Sequence, residues 1–118
     1  MSGPYSGLRV VDMTGLAGAY ATRLLAGMGA EVVRVEPPGG SPIRHLSPFT
    51  EAIEPPENSL WWSYLAMGAH SVVIEAEDTD SLARLLAEAD VVFEDQLPGT
   101  PNSASELVTS KTIRTRIL

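Results

Sequence analysis

Cysteine is absent from this sequence of 118 residues, and Lys111 is its only lysine. Without cysteine the chain can form neither a disulfide framework nor a thiolate-ligated zinc site. The two histidines, His45 and His70, are too few and too far apart in the sequence to indicate a metal site. We therefore expect no metal site. We also expect no permanently bound cofactor.

Positive charge is scarce and unevenly distributed. Residues 1–110 hold five arginines against fifteen acidic residues, a net charge of −10, whereas residues 111–118 carry a net charge of +3. Phosphate contacts need clustered lysine and arginine, so the acidic body argues against nucleic acid and against an anionic membrane surface as partners. No apolar run reaches the ~18 residues of a membrane-spanning helix, and the first residues lack a signal-peptide pattern. We expect a cytoplasmic protein.

Apolar residues alternate between strand-like and helix-like segments. Val-rich and Ile-rich runs predict strands at residues 8–12, 31–36, 71–75 and 90–94. Helical spacing predicts helices from residue 19, over residues 59–67, and after a cap at residue 78 or 79. This alternation predicts an α/β fold, a Rossmann-like parallel sheet with flanking helices, whose strands are buried on both faces. Ligands of such sheets bind beyond the carboxyl ends of the strands, here residues 12–18, 36–40, 75–77 and 94–99.

Two segments differ in composition from the rest. Residues 37–58 hold six of the nine prolines, which predicts a long loop. Residues 100–118 contain seven Ser or Thr residues and the single lysine, without clear periodicity. We interpret residues 1–99 as the domain and residues 100–118 as a divergent polar and basic tail, either poorly ordered or partly docked.

Some residues at the carboxyl ends of the predicted strands, which we call the carboxyl edge of the sheet, allow both a functional and a structural explanation. Gly15 and Gly18 could present backbone N–H groups to a phosphate, and Glu36, 21 residues beyond Gly15, could hold a ribose. The complete dinucleotide pattern G-x-G-x-x-G is missing, so a tight turn with small residues for close packing is favoured. Asp12 could be a catalytic acid or base, but a cap of the following turn is favoured.

The remaining candidates also allow two explanations. Arg44 could face a phosphate or be solvated, whereas solvated side chains are favoured for Arg34 and His45. The pair Trp61-Trp62 could stack on a flat ligand, although packing in a core or interface is favoured. The acidic run at residues 75–80 lacks the calcium-loop pattern, which favours helix capping and solvated charge.

Several blocks of the sequence follow one another in a recognisable order. They are LRVVDMT at 8–14, AGAYATRLLA at 17–26 and GAEVVRVEPPGG at 29–40, followed by Arg44. The segment at 68–75, and ADVVFE at 89–94 followed by Pro98-Gly99, match more loosely. Together these blocks resemble the amino-terminal part of the family III CoA-transferases, the CaiB/BaiF family. That family includes formyl-CoA transferase, carnitine CoA-transferase and α-methylacyl-CoA racemase.

The resemblance, which covers about residues 6–99, implies a Rossmann-like domain that binds coenzyme A. It implies that these residues are a partial domain of a larger subunit, with CoA or acyl-CoA as substrate and a second copy or a complementary chain as partner. The implied reaction is CoA transfer between an acyl-CoA and a carboxylic acid. The catalytic aspartate of the family lies downstream of the Pro98-Gly99 block, so the resemblance assigns no catalytic residue here and implies that this chain is inactive alone. The implied CoA contacts are Leu16, Ala17, Pro37, Ile74, Glu75, Ala76, Glu77, Asp95, Gln96 and Leu97.

The departures from the family pattern share one direction. Ala69 and His70 stand where the family has Lys-Arg, and Glu77 stands where relatives often have lysine. Because CoA carries several phosphate charges, these changes predict weaker CoA binding. The sequence leaves other functions open: a non-catalytic remnant that binds a partner, a split subunit, an acyl-CoA racemase fragment, or a simple nucleotide-binding domain.

Overall fold

Every described strand is parallel to its neighbours and belongs to one sheet. This computed structural model describes residues 3–95 and the backbone of residues 113–116. The strands are β1 (Arg9–Met13), β2 (Glu31–Glu36), β3 (His70–Val73), β4 (Val91–Glu94) and β5 (Ile113–Arg116). Their order across the sheet is β3-β2-β1-β4-β5, which places β1 in the centre. Because β1 connects to β2 on one side and pairs with β4 on the other, the carboxyl ends of β1 and β4 form a topological switch point.

Helices connect the strands in the order that the sequence predicts. Helix α1 (Leu16–Gly27) joins β1 to β2, and α3 (Thr79–Ala87) joins β3 to β4. The connection from β2 to β3 contains a 3-10 turn (Pro42–His45) and α2 (Leu60–Leu65). The predicted fold class, a Rossmann-like parallel sheet with flanking helices, is therefore confirmed.

The side chains of β1 point alternately to the two faces of the sheet. Val10 is buried in a cluster with Ala26 of α1, whereas Val11 is buried in another cluster with Leu82 and Leu86 of α3. Because successive residues of a strand face opposite sides, α1 and α3 cover opposite faces of the sheet. Helix α2 lies on the side of α1, since Ala19 of α1 shares a third buried cluster with α2.

Helix α1 begins at Leu16, three residues before the predicted start at Ala19. Gly18 therefore lies within the helix, whereas the sequence pattern predicted it before the helix. A Cβ atom on Gly18 would lie 2.3 Å from the Oγ1 atom of Thr14. No larger side chain fits at that distance, which confirms the explanation of Gly18 as a residue for close packing. At the other end of the helix, Gly29 adopts a φ of 102°, a conformation that favours glycine.

The two outermost strands of the sheet, β3 and β5, differ most from the sequence-based expectation. Burial on both faces was predicted for every strand, but β3 is an edge strand and the Val73 side chain is 58% exposed. On the opposite edge, residues 113–116 of the predicted tail form β5 and pair with β4. The alternation of Ile113 and Thr115 with Arg114 and Arg116 is a short period-2 pattern that is typical of a strand, and the interpretation of this segment as a tail without periodicity overlooked it.

A buried polar network joins β1, α1 and β2. Asp12 Oδ2 accepts a hydrogen bond of 2.5 Å from the Thr22 hydroxyl and lies 3.4 Å from Arg34 Nη2. Arg34 was predicted to be a solvated side chain. This prediction is wrong, because Arg34 is 3% exposed and its Nη2 also donates to Thr22 Oγ1 at 3.2 Å. Burial lowers the pKa of the Arg34 guanidinium, and attraction to Asp12 and Glu36 opposes this shift.

Thr22→Val tests the contribution of this network to stability. The substitution keeps the shape of the side chain but removes the hydroxyl that connects Asp12 to Arg34. Because buried polar groups then lose a partner, we expect the free energy of unfolding in urea to fall by about 1–3 kcal/mol. Thr79→Val, at the partly exposed first position of α3, is the matched control and should change it by less than about 0.5 kcal/mol. Equal stabilities of the two variants would contradict the proposed role of the hydroxyl.

Candidate functional site

The predicted CoA contacts that the structure describes lie at one edge of the sheet. Leu16 and Ala17 follow β1 and are exposed in the first turn of α1, and Pro37 follows β2 and is exposed. Residues 74–77 follow β3, and Asp95 directly follows β4. Gln96 and Leu97 lie outside the described residues. The parallel sheet therefore brings these loops to its carboxyl edge, whereas His70 and Arg9 lie at the opposite ends of their strands.

The loops after β1 and β4 meet through one hydrogen bond. The backbone N–H of Gly15 donates to Asp95 Oδ2 at 3.0 Å. Asp12 receives the N–H of Thr14 at 2.8 Å and the Thr14 hydroxyl at 2.6 Å, which confirms the prediction that Asp12 caps the turn after β1. Asp12 and Asp95 thus accept hydrogen bonds from the polar groups of this turn. The N–H of Gly15 is therefore not free to bind a phosphate.

Glu36 closes the end of β2 and is 2% exposed. Its Oε1 accepts from the Ser41 N–H at 2.7 Å and from Arg44 Nε at 2.6 Å, and its Oε2 accepts from Arg44 Nη2 at 2.8 Å. The Ser71 hydroxyl of β3 also donates to Oε2. With both oxygens engaged and buried, this carboxylate cannot hold a ribose, so the interpretation of Glu36 as a dinucleotide-binding acid is wrong.

Arg44 connects the long loop to the sheet and to α2. Besides the two bonds to Glu36, its Nη1 lies 2.7 Å from Glu57 Oε1, and its Cζ lies 3.8 Å from the ring centroid of Trp62. The Trp62 indole N–H donates to Glu57 Oε2 at 3.2 Å. Neither of the two explanations offered for Arg44, a phosphate contact or a solvated side chain, applies. Its guanidinium binds two carboxylates of the chain and stacks on an aromatic ring.

The two tryptophans have different surroundings. Trp62 is 5% exposed and belongs to the core, as favoured from the sequence, whereas Trp61 is 45% exposed. Other exposed apolar side chains lie on α2 and α1 or just after α2, namely Leu60, Tyr64, Met67, Tyr20 and Leu24. We call this set the α1–α2 apolar surface.

The loop after β3 carries exposed acidic side chains. The N–H groups of Asp78 and Thr79 donate to the carbonyl oxygens of Glu75 and Glu77, each at 3.0 Å, and form a turn before α3. Asp78 caps the helix, since its Oδ1 accepts the Ser81 N–H at 3.1 Å. Hydrogen bonds with Ser81 lower the pKa of Asp78. Capping and solvated charge, the favoured explanation of the acidic run, fit this arrangement.

A shallow groove of roughly 450 Å³ lies between β3 and α3 and reaches this loop. Val73 and Ile74 supply its apolar part, and Asp78 and Arg84 are among its polar residues. Within residues 3–95, no group of three or more His, Cys, Asp or Glu side chains could hold a metal ion. None of the helices in the described ranges has the length and apolar character to span a lipid bilayer.

Sequence reasoning missed the partners of Glu36. Ser41 and Ser71, which bind Glu36, and Glu57, which binds Arg44, have no periodic pattern that marks them, and they come together only because the loop folds back over the end of β2. One local signal was available: a Ser-Pro pair, Ser41-Pro42, after the glycines is typical of a capped turn. The Ser41 side chain does accept from the Ile43 N–H there.

Glu36 should make stability depend on pH under acidic conditions. Burial disfavours its charge, but hydrogen bonds from Arg44, Ser71 and the Ser41 backbone outweigh burial and lower its pKa from 4.5 to about 2. The carboxylate therefore stabilises the folded state above its unfolded pKa, and this contribution is lost as the pH falls toward about 2. We expect the unfolding free energy to fall by about 3 kcal/mol from this group over that range.

Chemical denaturation at a series of pH values measures this effect. Glu36→Gln should be less stable at neutral pH and should lose much of the acid dependence, because its side chain does not titrate. Glu54→Gln removes an exposed carboxylate from the loop after β2. It is the matched control and should retain the acid dependence of the wild-type chain. An undiminished acid dependence in Glu36→Gln would show that Glu36 is not the group responsible.

Similar proteins of known sequence are CoA-transferases. The chain is 33% identical over 102 residues to succinyl-CoA:(R)-benzylsuccinate CoA-transferase subunit BbsE of Thauera aromatica, covering 84% of this chain and 25% of that protein. It is 39% identical over 102 residues to succinyl-CoA:mesaconate CoA-transferase of Haloarcula hispanica, covering 83% of this chain and 26% of that protein. The chain thus spans about a quarter of the length of these relatives.

Solved structures and a family profile agree with these relatives. A CaiB/BaiF family protein from Brucella suis superimposes with a TM-score of 0.71 at 30% identity, covering 81% of this chain and 26% of that one. A hypothetical protein from Mycobacterium tuberculosis gives a TM-score of 0.68 at 31% identity, covering 90% of this chain and 28% of that one. The profile of CoA-transferase family III matches residues 5–107. Because this match includes most of the sequence, the chain belongs to CoA-transferase family III.

Proposed function

We propose that this chain is the amino-terminal, CoA-binding part of a family III CoA-transferase. The observation that carries the proposal is the family match over residues 5–107, which includes the β1, β2, β3 and β4 loops at the carboxyl edge. The complete enzyme would transfer CoA between an acyl-CoA and a carboxylic acid. We also propose that the chain works in the cytoplasm, as one copy of an oligomer or together with a complementary chain.

The proposed CoA contacts are the exposed positions at this edge and the segment that follows Asp95. Leu16 and Ala17 begin α1, and Pro37 begins the loop that Arg44 holds against Glu36. The turn after β3 offers apolar Ile74 beside the groove. The complete set that we propose is Leu16, Ala17, Pro37, Ile74, Glu75, Ala76, Glu77, Asp95, Gln96 and Leu97.

In the proposed reaction, an aspartate carboxylate attacks the thioester carbonyl of the acyl-CoA. The C–S bond breaks, CoA leaves as a thiolate, and a mixed anhydride remains. The thiolate then attacks the aspartyl carbonyl of the anhydride, which releases the carboxylic acid and leaves an aspartyl-CoA thioester. We assign none of the 118 residues as this aspartate. In this proposal the chain holds CoA, and the nucleophile comes from another segment or chain.

A second candidate function is that of a non-catalytic partner-binding module. The α1–α2 apolar surface supports it, because an exposed apolar patch of this kind often marks an interaction site. The two proposals differ in one property, since a partner-binding module need not bind CoA. A simple dinucleotide-binding domain is not proposed again, because the buried Glu36 cannot hold a ribose.

CoA binding, measured by calorimetric titration, tests the proposed function. The wild-type chain should bind CoA weakly, because acidic residues surround the proposed site. Glu77→Lys should tighten binding by roughly tenfold, since it replaces repulsion of the CoA phosphates by attraction. Glu31→Lys changes the net charge equally but lies at the amino end of β2, away from the proposed contacts, and loses only an exposed ion pair of 3.6 Å with Arg9, so it is the matched control and should have little effect. No CoA binding by any of the three proteins would refute the proposal and leave the partner-binding module.

The assignment of the nucleophile to another segment or chain predicts that the purified 118-residue chain does not turn over acyl-CoA. Succinyl-CoA with mesaconate or L-malate as acceptor is a suitable assay, since these compounds appear in the names of similar transferases. Chromatographic detection of a new acyl-CoA would contradict the assignment. The same assay on a complete relative of the family provides the positive control.

A further inference from the structure

One residue anchors both of the neighbouring loops that follow β2 and β3. Glu36 is the last residue of β2, directly before Pro37, and its backbone carbonyl accepts the N–H of Ile74 at 3.1 Å. Its carboxylate accepts the Ser41 N–H at 2.7 Å and also a hydrogen bond from the Ser71 hydroxyl of β3. Pro37 and Ile74, two of the proposed CoA contacts, therefore take their positions from the same residue.

The loop after β2 begins with a turn that closes on this anchor. The Gly40 N–H donates to the Pro37 carbonyl oxygen at 2.9 Å, and the following N–H, that of Ser41, donates to Glu36. Gly40 has a φ of 92°, and a Cβ atom there would lie 2.8 Å from Arg44 Cδ. The turn that contains Pro37 thus packs directly against the Arg44 side chain, so a displacement of that side chain would also displace the turn.

Arg44 fixes the Glu36 carboxylate and is itself fixed by two further groups. Its Nε and Nη2 donate to the two oxygens of Glu36 at 2.6 and 2.8 Å. Its Nη1 donates to Glu57 Oε1 at 2.7 Å, and its Cζ lies 3.8 Å from the centroid of the Trp62 ring. The side chain is 9% exposed, and all three of its nitrogen atoms donate to carboxylates of the chain. The charge of Arg44 is thus used within the chain.

We propose that Arg44 is a positioning residue for CoA binding: by fixing Glu36, it sets the places that the loops after β2 and β3 present to the ligand. This inference rests on the proposed CoA-binding function. It differs from a phosphate contact, because a phosphate contact would act through the charge of Arg44, whereas positioning acts through its geometry. A ligand that meets preorganised loops does not lose binding free energy in ordering them.

Arg44→Lys tests the proposal, because lysine keeps the charge but loses the paired hydrogen bonds and the planar group that stacks on Trp62. Calorimetric titration of the folded variant should show CoA affinity lowered roughly tenfold. Arg9→Lys is the matched control, since Arg9 also contacts two carboxylates, those of Glu31 and Glu88, but at the amino edge of the sheet. It should change CoA affinity less than about twofold.

The backbone amide of Ile74 provides a readout that needs no ligand. Its N–H donates to the Glu36 carbonyl oxygen, so its ¹⁵N NMR resonance responds to a movement of Glu36. In the ligand-free chain we expect this resonance to shift in Arg44→Lys and to stay in place in Arg9→Lys. A general loss of stability would not produce this difference, because the spectra are those of the folded state.

Glu57→Gln is a milder second variant, because it weakens the outer support of Arg44 and leaves the buried pair with Glu36 complete. Glu54→Gln removes the same charge from the same exposed loop and leaves Arg44 with its partners. Loss of an acidic charge alone would favour CoA equally in the two variants. We expect Glu57→Gln to bind CoA roughly threefold more weakly than Glu54→Gln, since only the former loosens Arg44.

Two sets of results would overturn the proposal. One is a CoA affinity that is unchanged in Arg44→Lys or equally lowered in Arg9→Lys, and the other is equal affinity of Glu57→Gln and Glu54→Gln. If no protein binds CoA, the wild-type chain included, the proposed function fails. The Ile74 resonance then still decides the positioning role, because an unmoved resonance in Arg44→Lys shows that Arg44 does not set the place of this loop.

Discussion

The pairing of buried carboxylates with a few arginines is the constraint on which this structure depends. Asp12 and Glu36 end neighbouring strands, and both are almost completely buried. A buried charge is costly unless it is paired and hydrogen-bonded, so each carboxylate requires cationic and N–H partners. Asp12 obtains them from α1 and from Arg34 of β2, and Glu36 obtains them from the loop after β2. The positions of α1 and of this loop follow from these requirements.

This constraint also determines the electrostatics of the proposed site. Residues 1–110 contain only five arginines, and two of them are used inside the fold. The loops at the carboxyl edge are consequently left with exposed acids such as Glu75 and Glu77. The architecture is that of a CoA-transferase family member, and these exposed acids are the reason why we predict weak binding of a ligand with several phosphates.

Elements set by local sequence could be predicted, whereas contacts made by distant residues could not. The strand at residues 31–36 and the Asp78 cap follow from a Val-rich run and from a short polar residue before an apolar helix. The burial of Arg34 could not be predicted, because a charged residue in a strand is normally solvated and its partners lie on other elements. The pairing of Glu36 with Arg44 has the same origin, since it depends on a fold that is already formed. For the site, the sequence located the edge of the sheet, but the partners of each carboxylate became visible only in three dimensions.

The central position of β1 has a consequence for the way the chain acquires its structure. β1 pairs with β2 soon after it in the sequence, but its other neighbour is β4, and the contact between Arg9 and Asp90 spans 81 residues. During synthesis, one side of the central strand must therefore wait until most of the domain has been made. Long-range parallel pairing of this kind slows folding and leaves an unpaired strand edge open to other chains in the meantime. The carboxylate of Asp90 and the N–H of Arg9 come together only when this last central pairing is complete.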